Sequence, residues 1–236
     1  MKKLLHLPFL LLLVWSCNTN EENYVIQGQI EIANGTTIYR IAADDNNQPK
    51  ILDSVDVKEG SFMIKGPIEE PDINFIQIQG QPGNFPIILE GGKIQVTLYK
   101  DSLSASTANG TISNDDFMKY KDETKAYIKS INSIGNEMQQ ALILKDSILL
   151  MDLRSEYDGV LQQIQDYEKY FIKNNTNSYV SALILERFVV SKSLAKDSLK
   201  QFYNKFSDRI KNTPSGRIIE SILNQPPSPP KVGEYA

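Results

Sequence analysis

Tyr24-Val25-Ile26-Gln27-Gly28-Gln29-Ile30-Glu31-Ile32-Ala33-Asn34-Gly35 decides the fold class. Tyr24, Ile26, Ile30 and Ile32 fall on one face and Gln27, Gln29 and Glu31 on the other, the two-residue period of a half-buried strand. Asn34-Gly35 then reads as a two-residue hairpin. Outward from it, a second strand is expected near Thr37 to Ala42. A polar loop, Asp44 to Pro49, leads to Ile51, Val55 and Val57, and Lys58-Glu59-Gly60 turns the chain into Phe62 and Ile64 before Gly66-Pro67. Ile73 and Phe75, then Ile87 and Leu89, then Ile94, Val96 and Leu98 mark later strands, punctuated by Gln81-Pro82-Gly83-Asn84 and Glu90-Gly91-Gly92. Seven or eight short antiparallel strands are expected over residues 24–112, spaced by turns about every 8 to 12 residues. Each has one hydrophobic face, so they need a second sheet or closure: an antiparallel β-sandwich or a partly closed barrel.

After Asn109-Gly110 the period changes. Ser113 or Asn114 is expected to cap a helix with Asp115 and Asp116 in its first turn, where negative charge suits the dipole. Phe117, Tyr120, Thr124, Tyr127, Ile131, Ile134, Met138 and Ala141 recur at steps of three and four. Leu150, Leu153, Tyr157, Val160, Ile164, Tyr167 and Phe171 repeat the rhythm in a shifted phase. A turn near Lys145 to Ser147 accounts for the shift and makes an antiparallel helical pair. Shorter helices are expected at about Ser178 to Val190 and Lys196 to Lys211, and Thr213-Pro214 opens a last one as cap and first-turn proline. The fold class is therefore α+β, with an all-β domain at 24–112 followed by a helical region at 113–224. Residues 225–236 begin as a stiff Pro-rich linker.

The composition, 41% hydrophobic and 23% charged over 236 residues, is that of an ordinary globular chain. No run of one charge could grip a phosphate backbone, so no nucleic-acid partner is expected. There is one cysteine, Cys17, and one histidine, His6. Lys2 and Lys3 followed by the apolar run Leu4 to Trp15 and by Ser16-Cys17 read as an export signal over residues 1–16, too short to span a bilayer, which takes about 20 residues. Removing it leaves 23 basic against 29 acidic side chains, a net charge of −6. Residues 17–23 read as a tether.

Leu13-Val14-Trp15-Ser16-Cys17 resembles the lipobox of bacterial lipoproteins, with Trp15 bulkier than that pattern favours. The resemblance implies lipidation of Cys17, which would hold the chain to a membrane of the cell envelope, the outer membrane, on its periplasmic or surface face. The order of parts extends the likeness. A lipobox, a small β domain with Ile51-Leu52-Asp53-Ser54-Val55 followed by Gly60, Phe62 and Gly66, a Leu89-Glu90-Gly91-Gly92 turn and a helical segment resemble a family of lipoprotein oxidoreductases. In that family an N-terminal domain of unknown function precedes a TlpA-like thioredoxin domain of the AhpC/TSA type. Val232-Gly233-Glu234-Tyr235-Ala236 is similar to the entry of such a domain, before its Trp-Cys-x-x-Cys site. Thiol-disulfide exchange needs an attacking thiolate and a resolving partner, so no catalytic residue carries over and the chain is not expected to be an enzyme.

Other constellations have plainer readings. Asp44-Asp45-Asn46-Asn47 offers four oxygen-bearing side chains but lacks the spacing of a calcium loop, and a solvated turn is expected. Asp53-Ser54 has no base to activate the hydroxyl. Glu69-Glu70 with Glu90 would have to face one another across a cleft to act as acid and base; surface charge is the plainer reading. Tyr120, Tyr127, Tyr157 and Tyr167 sit on the helical stripes and read as core, while Tyr170 falls off the stripe and Tyr179 begins another helix. No metal, cofactor or catalytic residue is expected. Three functions stay open: a noncatalytic lipid-anchored envelope module that binds an envelope protein or a thioredoxin-like domain, half of a split or truncated oxidoreductase, and a surface glycan- or peptide-binding lipoprotein.

Overall fold

The computed structural model describes residues 23–44, 46 and 48–225. The expected leader, Cys17, the tether as far as residue 22 and the chain after Gln225 lie outside the described residues. Eight strands are described: β1 (Asn23–Ile30), β2 (Thr37–Ala43), β3 (Pro49–Asp56), β4 (Ser61–Pro67), β5 (Asp72–Ile78), β6 (Phe85–Leu89), β7 (Gly92–Leu98) and β8 (Thr107–Asn109). They form two four-stranded sheets, β4-β1-β7-β8 and β3-β2-β5-β6, which stack as an open sandwich rather than closing into a barrel. The alternating apolar residues meet between them: Tyr24, Ile26 and Ile30 of β1 and Ile94, Val96 and Leu98 of β7 pack with Ile38, Ile76, Ile78, Phe85 and Ile87 of the other sheet.

Two expectations about connectivity are corrected. At Asn34-Gly35 only the glycine has a positive φ, 84°, and the Thr36 amide donates to the Ala33 carbonyl at 3.2 Å. That is the type II arrangement, whose twist splays strands instead of folding them into a hairpin. The chain passes to the second sheet, and β1 pairs antiparallel with β4 and parallel with β7, from Tyr24↔Gly92 to Ile30↔Leu98. The sandwich is therefore not wholly antiparallel. The two-residue primed turn lies at Glu59-Gly60, where φ is 49° and 72° and Lys58 and Ser61 exchange backbone hydrogen bonds of 2.9 and 3.0 Å. It hands the chain from β3 in one sheet to β4 in the other.

Gly28 is the inward position of β1 that carries no side chain. Its cross-strand neighbour is Phe62, whose ring fills the space, so close that a Cβ on residue 28 would stand 1.9 Å from the ring. β3 is bulged: the register with β2 shifts between Arg40 and Ile41, which adds Leu52 to the strand and leaves Ile51 and Leu52 exposed at a sheet edge.

The helices are α1 (Ile112–Leu144), α2 (Ser147–Asn174), α3 (Tyr179–Ser191), α4 (Lys196–Asn204), α5 (Asp208–Lys211) and α6 (Pro214–Asn224). α1 and α2 form the expected antiparallel pair. Lys145 ends α1 in the left-handed region at φ 56°, and the Asp146 side chain caps α2 by accepting from the Leu149 amide. Ile134, Met138 and Ala141 meet Leu150, Leu153, Tyr157 and Val160 along the seam. The expected helix from Lys196 to Lys211 is two helices, α4 and α5, broken at Lys205–Ser207, where Phe206 turns inward to a buried position. Thr213 caps α6 from its side chain to the Gly216 amide, with Pro214 in the first turn.

α3 is apolar on most of its surface and forms the centre of a second core with Phe171, Ile172, Ile210, Ile219 and Leu223. One buried strand residue, Ile88, belongs to that core, and Ile73 of β5 packs against it. In β6, Phe85, Ile87 and Leu89 point into the sandwich and Ile88 points into the helices. The unbroken apolar run Phe85-Pro86-Ile87-Ile88-Leu89 is the sequence mark of a strand covered on both faces.

Candidate functional site

A cleft of about 1440 Å³ opens where the sandwich meets the helices. The sandwich contributes Glu69 and Glu70 from the β4–β5 connection and Glu90 from the β6–β7 turn; the helical side contributes Asp115, Asp208 and Arg209. The adjacent Glu69 and Glu70 and the more distant Glu90 therefore line one cleft.

Two of the cleft's carboxylates, Glu70 and Glu90, are each held by an arginine. Arg217 of α6 donates to Glu70 through both terminal nitrogens, at 2.7 and 2.9 Å, the bidentate geometry in which guanidinium binds carboxylate best. The hydrogen bond from Arg217 holds the Glu70 carboxyl below its ordinary range. Glu90 is 4% exposed. It accepts from the Ser113 amide at 2.6 Å and from the Ser113 hydroxyl at 2.9 Å, and Arg209 of α5 stands 3.3 Å away. Arg209 is itself fixed by a 2.6 Å hydrogen bond to the Asn177 carbonyl. A general acid at neutral pH needs a carboxyl raised toward that pH; Glu70 is shifted the other way.

The residues expected as helix caps do different work. Thr111 is the N-cap of α1; Ser113 and Asn114 lie inside the helix, buried, and tie it to the sandwich. The Asn114 side-chain amide accepts from the Ile88 amide at 3.0 Å and donates to the Ile88 carbonyl at 2.7 Å. It thus imitates one residue of a further strand along β6, an edge of its sheet. The Ser113 hydroxyl also accepts from the Tyr179 amide at 3.2 Å, linking the start of α3 to Glu90. Asp115 accepts from the Gly110 amide at 2.9 Å, and burial raises the Asp116 carboxyl.

The remaining candidates fall elsewhere. Asp44 accepts from the amides of Asn46 and Gln48 at 2.9 and 2.8 Å, the turn geometry expected of an Asx residue; Asp45 and Asn47 lie outside the described residues. Asp53 accepts from the Ser54 amide on the β3 edge. Tyr120, Tyr167 and Phe171 pack ring against ring, with centroids 5.5 to 6.2 Å apart. The Tyr120 hydroxyl donates to buried Glu168 at 2.7 Å, which Arg187 neutralises. Burial, then that hydrogen bond, pushes the Tyr120 phenol up. Tyr170 is exposed and Tyr179 buried at the head of α3. Sequence reading missed Arg187, Arg209 and Arg217, because an arginine on an amphipathic helix looks the same whether it faces water or a carboxylate from another element. A second, smaller cleft of about 620 Å³ lies on the sandwich near Gln27, Gln29 and Gln95.

Residues 24–117 match the family model described as Domain of unknown function (DUF4369). The matched stretch holds the whole sandwich and the first turns of α1, and so Glu70, Glu90, Ser113 and Asn114, but not the arginines that bind the glutamates. An N-terminal domain of unknown function is what the family resemblance implies for this stretch. No curated protein and no solved structure matches the chain.

Proposed function

We propose that this chain is a noncatalytic module of the cell envelope, anchored in the outer membrane through a lipid on Cys17, and built like the N-terminal part of a TlpA-like thiol-disulfide oxidoreductase. The observation that carries the noncatalytic reading is the use made of the cleft's charges. Glu70 and Glu90 are bound to arginines of the helical region, so they hold two parts of the chain together instead of standing ready to move protons. The anchor reading rests on the lipobox-like residues before the chain's one cysteine, and the architecture on the match of residues 24–117 to a domain of unknown function.

Two measurements test it. Expressed with its leader in a bacterium, the chain partitions with the membrane fraction, and Cys17→Ala releases it to the soluble fraction; a variant that stays membrane-bound refutes the anchor. In an insulin-reduction assay the chain after Cys17 gives no turnover above buffer. A robust rate refutes the noncatalytic reading.

A further inference from the structure

The smaller cleft, about 620 Å³, lies on the outer face of the β4-β1-β7-β8 sheet. The alternation that sends Ile26, Ile64 and Ile94 inward turns their neighbours out, and the register sets six of these in two rows across three strands. Gln27 stands opposite Met63 of β4 and Gln95 of β7, and Gln29 opposite Ser61 and Thr97. All six line the cleft. With strands about 4.8 Å apart and outward residues about 6.8 Å apart along each strand, three amides, two hydroxyls and a thioether share a patch of roughly 10 by 7 Å. β8 carries both rows one strand further, with Asn109 opposite Gln95 and Thr107 opposite Thr97. None of these positions is charged, in a chain with 23% charged residues. At the rim, Asp56 and Lys58 offset each other.

We propose that this cleft binds a neutral glycan, with sugar hydroxyls on Gln27, Gln29 and Gln95. A glutamine amide sets an acceptor oxygen beside two N–H donors, the complement of vicinal hydroxyls, each of which donates and accepts. Among the described residues the three amide side chains have no hydrogen-bond partner, so a ligand displaces water from them and breaks no contact within the fold. Met63 is 50% exposed and offers the C–H face of a sugar ring an adaptable apolar contact. Tyr99, 52% exposed, continues the outward alternation of β7 one step past Thr97 and gives a following ring an aromatic surface. The cleft's volume falls within the ~300–1,000 Å³ of small-molecule sites.

The same residues disfavour other ligands. A phosphate or carboxylate is recognised by cations, above all by paired arginine nitrogens, and the two rows hold none. An extended peptide adds to a strand edge or sinks its side chains into apolar pockets. Here β1 and β7 are interior strands, paired on both sides, and Met63 is the one apolar side chain of the six. A neutral, polyhydroxylated molecule is the chemistry that remains. This role goes beyond the envelope reading and does not depend on the lipid anchor.

The test applies residues 17–236 with Cys17→Ser to an array of short neutral and uronic-acid oligosaccharides, followed by titration calorimetry. At least one neutral oligosaccharide is expected to bind, with a Kd between about 10 μM and about 1 mM. Gln27→Ala with Gln95→Ala is expected to weaken it at least about tenfold without changing the far-ultraviolet dichroism. Gln29→Lys, a single exposed change that sets a charge in the row, is expected to do the same. Lys129→Ala, on α1, is expected to leave binding as it was. No neutral oligosaccharide bound at about 1 mM overturns the proposal. So does a response to uronates alone, binding that survives the glutamine variants, or an equal loss in Lys129→Ala. A pool of acetylated random peptides that binds through these glutamines, where no glycan does, assigns the cleft to peptide and overturns it as well.

Discussion

Glu90 and Ser113 are joined by two hydrogen bonds, 2.6 Å from the serine amide and 2.9 Å from its hydroxyl, in a site closed to solvent. Glu90 stands in the turn between β6 and β7, which belong to different sheets; Ser113 stands in the first turn of α1. The amide of an N-terminal helical residue has no partner within its own helix, and here a carboxylate from the sandwich supplies one where the helix dipole favours negative charge. One contact therefore satisfies the helix end, fixes the direction in which α1 leaves the sandwich, and through Arg209 reaches α5.

Glu90→Ala is expected to cost about 3 kcal/mol, because it strands a buried amide, a buried hydroxyl and half-exposed Arg209 together. Ser113→Ala removes only the hydroxyl's bonds and is expected to cost about 1–2 kcal/mol. Urea unfolding of both variants checks the order; a Ser113→Ala loss equal to or above that of Glu90→Ala contradicts the role given to the carboxylate.

The Asn114 side chain closes the outer edge of β6 with a donor and an acceptor at once. Asn114→Asp keeps the acceptor but sets a buried carboxylate oxygen against the Ile88 carbonyl, and Asn114→Ala loses both bonds; the expected costs are about 3 kcal/mol or more and about 2–3 kcal/mol. Amide exchange gives the direct reading. Ile88 is expected to exchange faster in the Ala variant but not in the Asp variant, and an unchanged Ile88 rate in both would show the edge to be sealed by something else.

Asn114 also shows where the sequence was legible. That a helix begins near Ser113 follows from the change of period and from Asn, Asp and Ser, which favour helix starts because their side chains bond nearby backbone. Whether Asn114 bonds its own helix or a strand 26 residues earlier depends on packing that no local pattern encodes. The period-two residues of β1 and β7 read correctly as core, yet their parallel pairing did not, since alternation marks a buried face and is silent about which strand lies alongside. Glu59-Gly60 turns the chain as read, while Asn34-Gly35 does not form the expected hairpin, for a similar reason: a dipeptide permits a primed turn, and the strands on either side decide whether it forms. Of the cleft, the three glutamates were visible and their arginine partners were not.

Gly28 and Phe62 predict a coupled pair. Gly28→Ala pushes a methyl group into the aromatic ring and is expected to destabilise the sandwich by about 1–3 kcal/mol. Phe62→Leu alone loses packing, by about 1–2 kcal/mol. In the double variant the smaller side chain yields to the added methyl, so the combined loss should fall short of the sum by at least about 0.5 kcal/mol. Strict additivity would mean that the ring does not constrain residue 28.

The Glu70–Arg217 pair makes a prediction about acid. Arg217 holds the Glu70 carboxyl below its ordinary value, so the folded state binds that proton less readily than the unfolded chain. The stabilisation is therefore complete above the unfolded value of about 4.3 and is lost as pH falls through the lower folded value. Both side chains are about half exposed, which keeps the effect small and sensitive to salt. Glu70→Gln is expected to lower the urea midpoint at pH 7 and to leave it unchanged near pH 2. Burial raises Asp116, so its ionisation weakens the fold above about pH 4, and Asp116→Asn should raise the midpoint at pH 7 while doing nothing near pH 2. The two variants thus move stability in opposite directions at neutral pH and converge on the wild type in acid; a Glu70→Gln defect that persists at pH 2 would show that the side chain acts there by packing and not by its charge.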